Sequence, residues 1–202
     1  IERGFLTYDE SVPDFRWMIL AGEAGTGKSR LALELISRHR LHWCVAGFVT
    51  ARFVRDARIE FIRPQDFTAP TLLVIDYATR FIEQTVNLLA HCTELTNQAS
   101  YPIRVILIMR RPNDHLLNML KFDGDYGKVY NNRFPQGTDN VEDREAIILG
   151  ELGDDQIYTL MMDRLGRHGE SIKKTQLIEY LVYYDRRKRP LIAALVADAL
   201  KS

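Results

Sequence analysis

Short, mostly apolar runs alternate along this chain with stretches in which apolar residues recur at helical spacing. The runs at positions 16–21, 42–50, 71–76, 103–109 and 146–149 predict strands of a sheet that is covered on both faces. The stretches at 30–37, 79–95 and 113–120 predict amphipathic helices. Because strands and helices alternate, we expect a mostly parallel sheet covered by helices, which is an α/β fold.

The pattern changes twice in the second half of the chain. Positions 121–144 are rich in Gly, Pro, Asn and Asp and predict a long loop. Beyond position 151, helical periods at 154–167, 174–184 and 190–200 follow one another with no strand between them. The sequence therefore predicts an α/β domain over 1–150 and a small, lid-like helical domain over 151–202.

Composition narrows the class of protein. The chain has 202 residues, 46% of them apolar, with 27 acidic and 27 basic side chains. A net charge of zero gives no global field to attract nucleic acid, so a nucleic-acid partner is not expected. No apolar run reaches the roughly 20 residues that span a bilayer, and the N-terminus has no secretory pattern. We expect a cytoplasmic protein with no membrane partner, and the first residue, Ile1, suggests a piece of a longer chain. The two cysteines, Cys44 and Cys92, are expected to be buried and reduced.

The strongest motif lies at positions 22–29, where the sequence GEAGTGKS matches G-x-x-x-x-G-K-[ST] between a predicted strand and a predicted helix. This order directs backbone N–H groups and the positive end of a helix dipole at one point, which suits a phosphate. Lys28 adds a cation for the β- and γ-phosphates, and Ser29 adds a hydroxyl ligand for Mg²⁺. The segment therefore predicts a site for a nucleoside triphosphate, with binding residues Gly22, Glu23, Ala24, Gly25, Thr26, Gly27, Lys28, Ser29 and Arg30.

A carboxylate at the end of another strand completes the expected metal site. The run TLLVID ends at Asp76 and is expected beside the phosphate-loop strand, where Asp76 would hold the Mg²⁺–water shell opposite Ser29. The next position, where many ATPases of this type carry a second acid to polarise the attacking water, is Tyr77. The other candidate acids, Glu23 and Glu83, are better explained as solvated surface carboxylates. Hydrolysis is therefore expected to be slow or to need a residue from a partner.

Two arginines, Arg110 and Arg111, follow the run at 103–109. If this strand lies between the phosphate-loop strand and the Asp76 strand, its carboxyl end faces the γ-phosphate. Bidentate hydrogen bonds from Arg110 would then distinguish a triphosphate from a diphosphate. Lys28, Asp76 and Arg110 are accordingly the predicted catalytic residues.

Taken together, the segments WMILAGEAGTGKSRLALEL (17–35), PTLLVIDYATR (70–80) and RVILIMR (104–110) resemble the STAND class of P-loop ATPases. They are most similar to bacterial members with an IDYA-x-x-R Walker B segment; the class also contains NB-ARC and NACHT modules. The segment RPLIAAL (189–195) is similar to the class's G-x-P-L-A motif, with Arg189 where Gly is usual. The resemblance implies that Pro190 packs near the adenine of ATP or ADP. It also implies a signalling switch flanked by other domains of a longer chain, with a possible nucleotide-dependent homo-oligomer.

Two other classes share the same phosphate loop. A small-molecule kinase needs an Arg-rich lid, and the segment at 121–144 offers only Arg133 and Arg144. An ATPase of the related AAA+ group would be expected to show a basic face and a helical sensor Arg. The run RRKR at 186–189 could form a nucleic-acid patch, but it is interpreted as a solvated helix end. The favoured hypothesis is a weak, regulated ATPase switch.

Overall fold

The computed structural model describes residues 2–8, 14–49, 63, 67–96, 98–111, 114–122, 127–134, 146–169 and 172–201. It divides into two compact units. The α/β unit comprises Ile1–Ala21 and Ser29–Ile148, and the helical unit comprises Gly22–Lys28 and Leu149–Ser202. The phosphate loop thus groups with helices that lie far from it in sequence. The predicted boundary after residue 150 was based on local sequence pattern and took no account of contacts between distant segments. The two-domain division at 150/151 stays a prediction.

The α/β unit is built on one parallel sheet. Its strands are β1 (Phe15–Ala21), β2 (Val45–Val49), β3 (Thr71–Asp76), β4 (Ile103–Met109), β5 (Arg133–Phe134) and β6 (Ile147–Ile148). The order across the sheet is β2-β3-β4-β1-β5, with β6 also paired to β1, and every pair is parallel. This confirms the predicted α/β class with a mostly parallel sheet.

The helices of this unit lie between the strands in sequence. They are α1 (Lys28–His39), α2 (Ile82–Thr96), α3 (Asp114–Phe122) and α4 (Gly127–Asn131), with a 3₁₀ turn at Ala78–Arg80 and a π-helical turn at Glu2–Leu6. The predicted helix at 79–95 is thus a 3₁₀ turn followed by an α-helix.

The central strands are buried because both of their faces are covered. All seven residues of β4 are buried, and β1 is buried except at Arg16. The indole N–H of Trp17 in β1 donates a hydrogen bond to the carbonyl of Val129, 2.7 Å away, which satisfies the polar atom of a fully buried ring. Continuous apolar runs therefore did mark the centre of the sheet.

Register determines which residues meet at the carboxyl edge of the sheet. Ala21 pairs with Met109, and Asp76 pairs with Ile108. The ends of β1, β3 and β4 are therefore level within a residue or two. β4 lies between β1 and β3, so the expectation that β3 adjoins the phosphate-loop strand was wrong. The same order meets the condition stated for Arg110, that its strand lies between the phosphate-loop strand and the Asp76 strand.

Three expectations need correction in this unit. The strand expected at 42–50 is the shorter β2, and it is not buried, because it ends the strand order and leaves Val45 and Phe48 exposed. The predicted loop at 121–144 contains α4 and β5 among its described residues. Both are too short to be recognised by period; β5 pairs with β1, and the Val129 carbonyl of α4 accepts a hydrogen bond from Trp17 of β1. Cys92 is buried as expected, but Cys44 is exposed.

The helical unit contains α5 (Asp154–Leu165), α6 (Lys174–Tyr184) and α7 (Pro190–Lys201), with a 3₁₀ turn at Gly166–Gly169. Its buried residues recur at helical spacing and form a core of their own: Ile157, Met161, Leu165, Leu177, Leu181, Ala193, Val196 and Ala197. The predicted run of three helices is confirmed, with α5 ending two residues early at Gly166, where φ is 56°.

Among the described residues, none of the helices combines the length and apolar character that crossing a membrane requires.

Candidate phosphate-binding site

The phosphate loop joins the end of β1 to the start of α1. Gly25 and Gly27 have φ angles of 84° and 91°, in the region that L side chains rarely adopt. Glycine removes that steric cost, so the chain can turn within six residues from Ala21 to Lys28. Since α1 begins at Lys28, the positive end of its dipole lies at the loop.

Side chains within the loop reinforce this turn. The Lys28 ammonium donates to the carbonyl oxygens of Gly22 and Glu23, at 2.6 and 2.7 Å. The Thr26 hydroxyl donates to the Glu23 carbonyl at 2.9 Å. The loop is therefore folded around its own lysine. The role of Lys28 toward phosphate stays a prediction.

In the α/β unit, folding brings Ser29 and Asp76 together across 47 positions of sequence. The Ser29 hydroxyl donates to Asp76 Oδ2 at 2.8 Å, and the backbone N–H of Tyr77 donates to Asp76 Oδ1, also at 2.8 Å. Both carboxylate oxygens are thus oriented by hydrogen bonds. The structure thus brings Ser29 and Asp76 within hydrogen-bond distance, and their binding of a metal stays a prediction.

These oxygens fit Mg²⁺. Magnesium takes oxygen ligands at about 2.0–2.1 Å in an octahedron, so neighbouring ligands lie about 2.9 Å apart. The Ser29–Asp76 separation of 2.8 Å is close to this value. No group of three or more His, Cys, Asp or Glu side chains within the described parts of the chain could hold a metal alone. A Mg²⁺ at this pair would therefore need oxygens from water and from a phosphate.

The residue after Asp76 does not supply a second acid. Tyr77 lies in the left-handed region, with φ 57° and ψ 39°, and its ring is exposed. The Arg80 guanidinium sits 4.8 Å from the centre of that ring, in a cation–π contact. Glu83 is exposed in the first turn of α2, and Glu23 forms an ion pair with Arg187 at 3.8 Å.

The other predicted residues lie where their elements place them. Arg110 follows β4 at the carboxyl edge of the sheet and is exposed. Arg30 is exposed in α1 and lies 3.9 Å from Glu34. Pro190 is the first residue of α7, a position that suits proline because its missing N–H would be unpaired there. Their roles toward nucleotide stay predictions.

Sequence reasoning missed the turn between α6 and α7. The carboxylate of Asp185 is buried and accepts hydrogen bonds from the Arg189 backbone N–H, at 2.8 Å, and from Arg189 Nε, at 3.1 Å. Burial acts to raise the pKa of Asp185, but these hydrogen bonds outweigh it and hold the pKa below its usual value. Arg187 pairs with Glu23 and Lys188 with Asp154, so most of this basic run is engaged rather than simply solvated. The spacing of Asp185 four residues before Arg189 was the sequence signal that could have indicated this ion pair.

No family model matches the chain, and no curated protein matches it. Solved structures do resemble it. The replication initiator DnaA bound to AMPPCP and single-stranded DNA is 14% identical, with a TM-score of 0.51, over 90% of this chain and 55% of DnaA. The Drosophila ORC bound to DNA is 14% identical, with a TM-score of 0.52, over 95% and 56%. A katanin self-assembly structure is 15% identical, with a TM-score of 0.50, over 86% and 59%.

These identities are low, so the likeness concerns the fold alone. The chain spans little more than half the length of each of these structures. Its parallel sheet, its glycine-rich loop between β1 and α1 and these likenesses agree with one another. The chain has the fold of the P-loop ATPases.

Proposed function

We propose that this chain is an ATP/ADP-binding regulatory module: a weak Mg²⁺-dependent ATPase that acts as a nucleotide-dependent switch in a longer STAND-like protein. The observation that carries the proposal is the 2.8 Å contact between Ser29 and Asp76. A glycine-rich turn can arise by chance, but chance does not also place its last hydroxyl on a carboxylate 47 positions away at the end of a parallel strand.

The binding residues follow from the loop. Backbone N–H groups over 22–30 and the dipole of α1 would hold the phosphates, and the Lys28 ammonium would exchange the carbonyls of Gly22 and Glu23 for phosphate oxygens. Ser29 and Asp76 would hold Mg²⁺, which neutralises phosphate charge. Pro190 would pack near the adenine.

Slow hydrolysis follows from what stands after Asp76. An acid at the next position could accept a proton from water, but that residue is Tyr77, which has no carboxylate. Its exposed ring forms a cation–π contact with Arg80. General-base catalysis typically contributes 10²–10⁴-fold, so its loss leaves positioning and electrostatics to supply the rate. A switch benefits from this, because a long-lived ATP state can be read by a partner before it is lost.

The switch role is supported by the composition of the helical unit, which includes the phosphate loop itself. Arg187 in the turn before α7 pairs with Glu23 of that loop, and the Leu191 N–H in the first turn of α7 donates to the Gly25 carbonyl. A change in the conformation of the phosphate loop on binding or loss of the γ-phosphate would therefore alter the contacts of α7. Other domains of the same chain, or a second copy of it, would be the partners that respond, with the protein acting in the cytoplasm.

An AAA+-like ATPase is the alternative, favoured by the fold likeness to DnaA and ORC structures that contain DNA. Nucleic acid is less expected on a neutral chain, but the two functions are separable by experiment. Fluorescence anisotropy of labelled single- and double-stranded oligonucleotides, with and without ATP, measures the difference. Salt-sensitive binding would favour the AAA+-like alternative.

The central test is calorimetric titration of wild type and Lys28→Ala with Mg²⁺-ATP and Mg²⁺-ADP. We expect binding in the wild type and none in the variant. Lys128→Ala, which removes an exposed lysine of α4, is the matched control and should bind normally. Equal affinity of wild type and Lys28→Ala would refute the proposed site.

Phosphate release tests the second part. It should be slow in the wild type and absent in Asp76→Ala, while Glu83→Gln should resemble the wild type. Rapid turnover that disappears in Glu83→Gln would show that Glu83 is the base and that the slow-switch proposal is wrong.

A further inference from the structure

We propose that Asp185 is a positioning residue for the phosphate loop, acting through Arg189 and the start of α7. This rests on the proposed function, since the loop matters only if it binds phosphate. Asp185 belongs to none of the motifs identified in the sequence. Its carboxylate accepts hydrogen bonds from Arg187 and Arg189 of the same chain.

Asp185 determines the path of the chain between two helices. Its N–H donates to the Leu181 carbonyl at 2.8 Å, which closes α6, and its own carbonyl accepts from Lys188 N–H at 2.9 Å. Its carboxylate accepts from the backbone N–H groups of Arg187, at 3.4 Å, and Arg189, at 2.8 Å. Lys188 between them has a φ of 48°, a conformation that costs a non-glycine residue about 1–2 kcal/mol. The buried carboxylate therefore holds a turn that would otherwise relax.

The same carboxylate orients the Arg189 side chain. Asp185 Oδ2 lies 3.1 Å from Arg189 Nε, and the Asp185 side chain is only 5% exposed, so water competes little for the ion pair. Arg189 in turn lies against the phosphate loop: a methyl group added at Gly25 would come within 3.4 Å of Arg189 Cδ and 3.5 Å of Arg189 Cβ. Arg189 thus packs its stem on the turn of the loop.

Two further contacts join the same elements. The Leu191 N–H, in the first turn of α7, donates to the Gly25 carbonyl at 3.3 Å. Arg187 Nη1 lies 3.8 Å from Glu23 Oε2. Arg187 and Leu191 both follow Asp185 within six residues, and their positions depend on the turn that its carboxylate fixes.

These contacts fix the orientation of the Gly25–Thr26 peptide within the phosphate loop. Because the peptide unit is planar and trans, a hydrogen bond to the Gly25 carbonyl also fixes the direction of the Thr26 N–H, which donates to the Glu23 carbonyl at 3.3 Å. Loss of the Asp185 carboxylate would free the start of α7, and the Gly25–Thr26 peptide would lose its orientation. The loop would then be less preorganised, and the free-energy cost of ordering it on binding would lower the affinity for nucleotide.

The test is calorimetric titration of Asp185→Asn with Mg²⁺-ADP. We expect affinity to fall roughly tenfold, the effect of losing one hydrogen bond to a charged group. Asp198→Asn is the matched control: it removes a carboxylate of the same unit that pairs with Arg164 at 3.4 Å on the surface, and it should bind ADP normally.

A second pair of variants keeps the proposal testable if Asp185→Asn does not fold. Arg189→Gln should weaken ADP binding to a similar extent, and Arg189→Lys, which keeps the cation beside Asp185, should recover part of the loss. Hydrogen exchange adds a local readout: without nucleotide, the amides of Thr26 and Leu191 should exchange faster in Arg189→Gln than in the wild type.

The outcomes separate the two proposals. If wild type and Lys28→Ala bind ADP equally, the proposed function fails. If Lys28→Ala loses binding while folded Asp185→Asn and Arg189→Gln bind as the wild type does, the phosphate site stands and the role of Asp185 is overturned.

Discussion

Removing the carboxylate of Asp14 tests how the α/β unit tolerates a charge in its core. Arg104, the second residue of β4, has a fully buried side chain. Its Nη2 lies 2.7 Å from Asp14 Oδ1, and its Nε donates to the Phe5 carbonyl at 2.7 Å. Burial lowers the pKa of Arg104, and Asp14 opposes that shift. Asp14→Asn would leave a buried guanidinium without its counter-charge.

The expected magnitude follows from these contacts. Removing one partner of a buried ion pair typically costs 3–5 kcal/mol. The lower end applies to Asp14, because its side chain is 27% exposed and Arg104 Nη1 keeps hydrogen bonds to the carbonyls of Asp14 and Ile103. We expect Asp14→Asn to lower the free energy of unfolding by about 3 kcal/mol, or the melting temperature by about 6–12 °C for a chain of this size.

Urea and thermal unfolding followed by circular dichroism measure the loss. Arg104→Met should cost less than Asp14→Asn, because a flexible apolar side chain can pack beside Trp43 and Phe5 while Asp14 keeps its 2.8 Å ion pair with Arg16. Asp198→Asn should change the free energy of unfolding by less than about 0.5 kcal/mol. If Asp14→Asn is as stable as the wild type, the reasoning from buried charge is refuted.

Three further predictions concern single groups. Arg110→Ala should weaken binding of a non-hydrolysable ATP analogue roughly ten- to a hundredfold more than binding of ADP; an equal loss for both, by calorimetry, would contradict a γ-phosphate contact. Because hydrogen bonds lower the folded pKa of Asp185, its stabilisation should be complete above the unfolded value near 3.9 and lost as pH falls through the folded pKa. Urea unfolding should then show a constant difference between wild type and Asp185→Asn from about pH 8 to 5 that shrinks below about pH 4, and a difference that grows on acidification would be inconsistent with it. Burial raises the pKa of Cys92 to about 12 whereas Cys44 is exposed, so a thiol reagent should label only Cys44 in the native chain and both cysteines in denaturant.

Local patterns of the sequence were sufficient for much of the fold. Buried parallel strands are apolar along most of their length, so β1, β3 and β4 were recognisable without any knowledge of their partners. The phosphate loop was equally local, since its glycines and Lys28 act within a few residues of one another. The short elements α4 and β5 had no such signal, because their contacts include β1, more than a hundred positions away: β5 pairs with it, and Val129 of α4 accepts a hydrogen bond from Trp17.

Some features of the candidate site were likewise evident from the sequence, and others depend on the tertiary structure. The sequence by itself determined the loop at 22–29 and marked Asp76 as its candidate partner, because strand, turn and helix signals are short-range. Only the tertiary structure decided that β4 separates β1 from β3, that Ser29 meets Asp76, and that Arg189, paired with Asp185, lies beside Gly25. Strand order and side-chain pairing depend on which distant segments bury each other's surfaces, and that energy is not contained in any one segment.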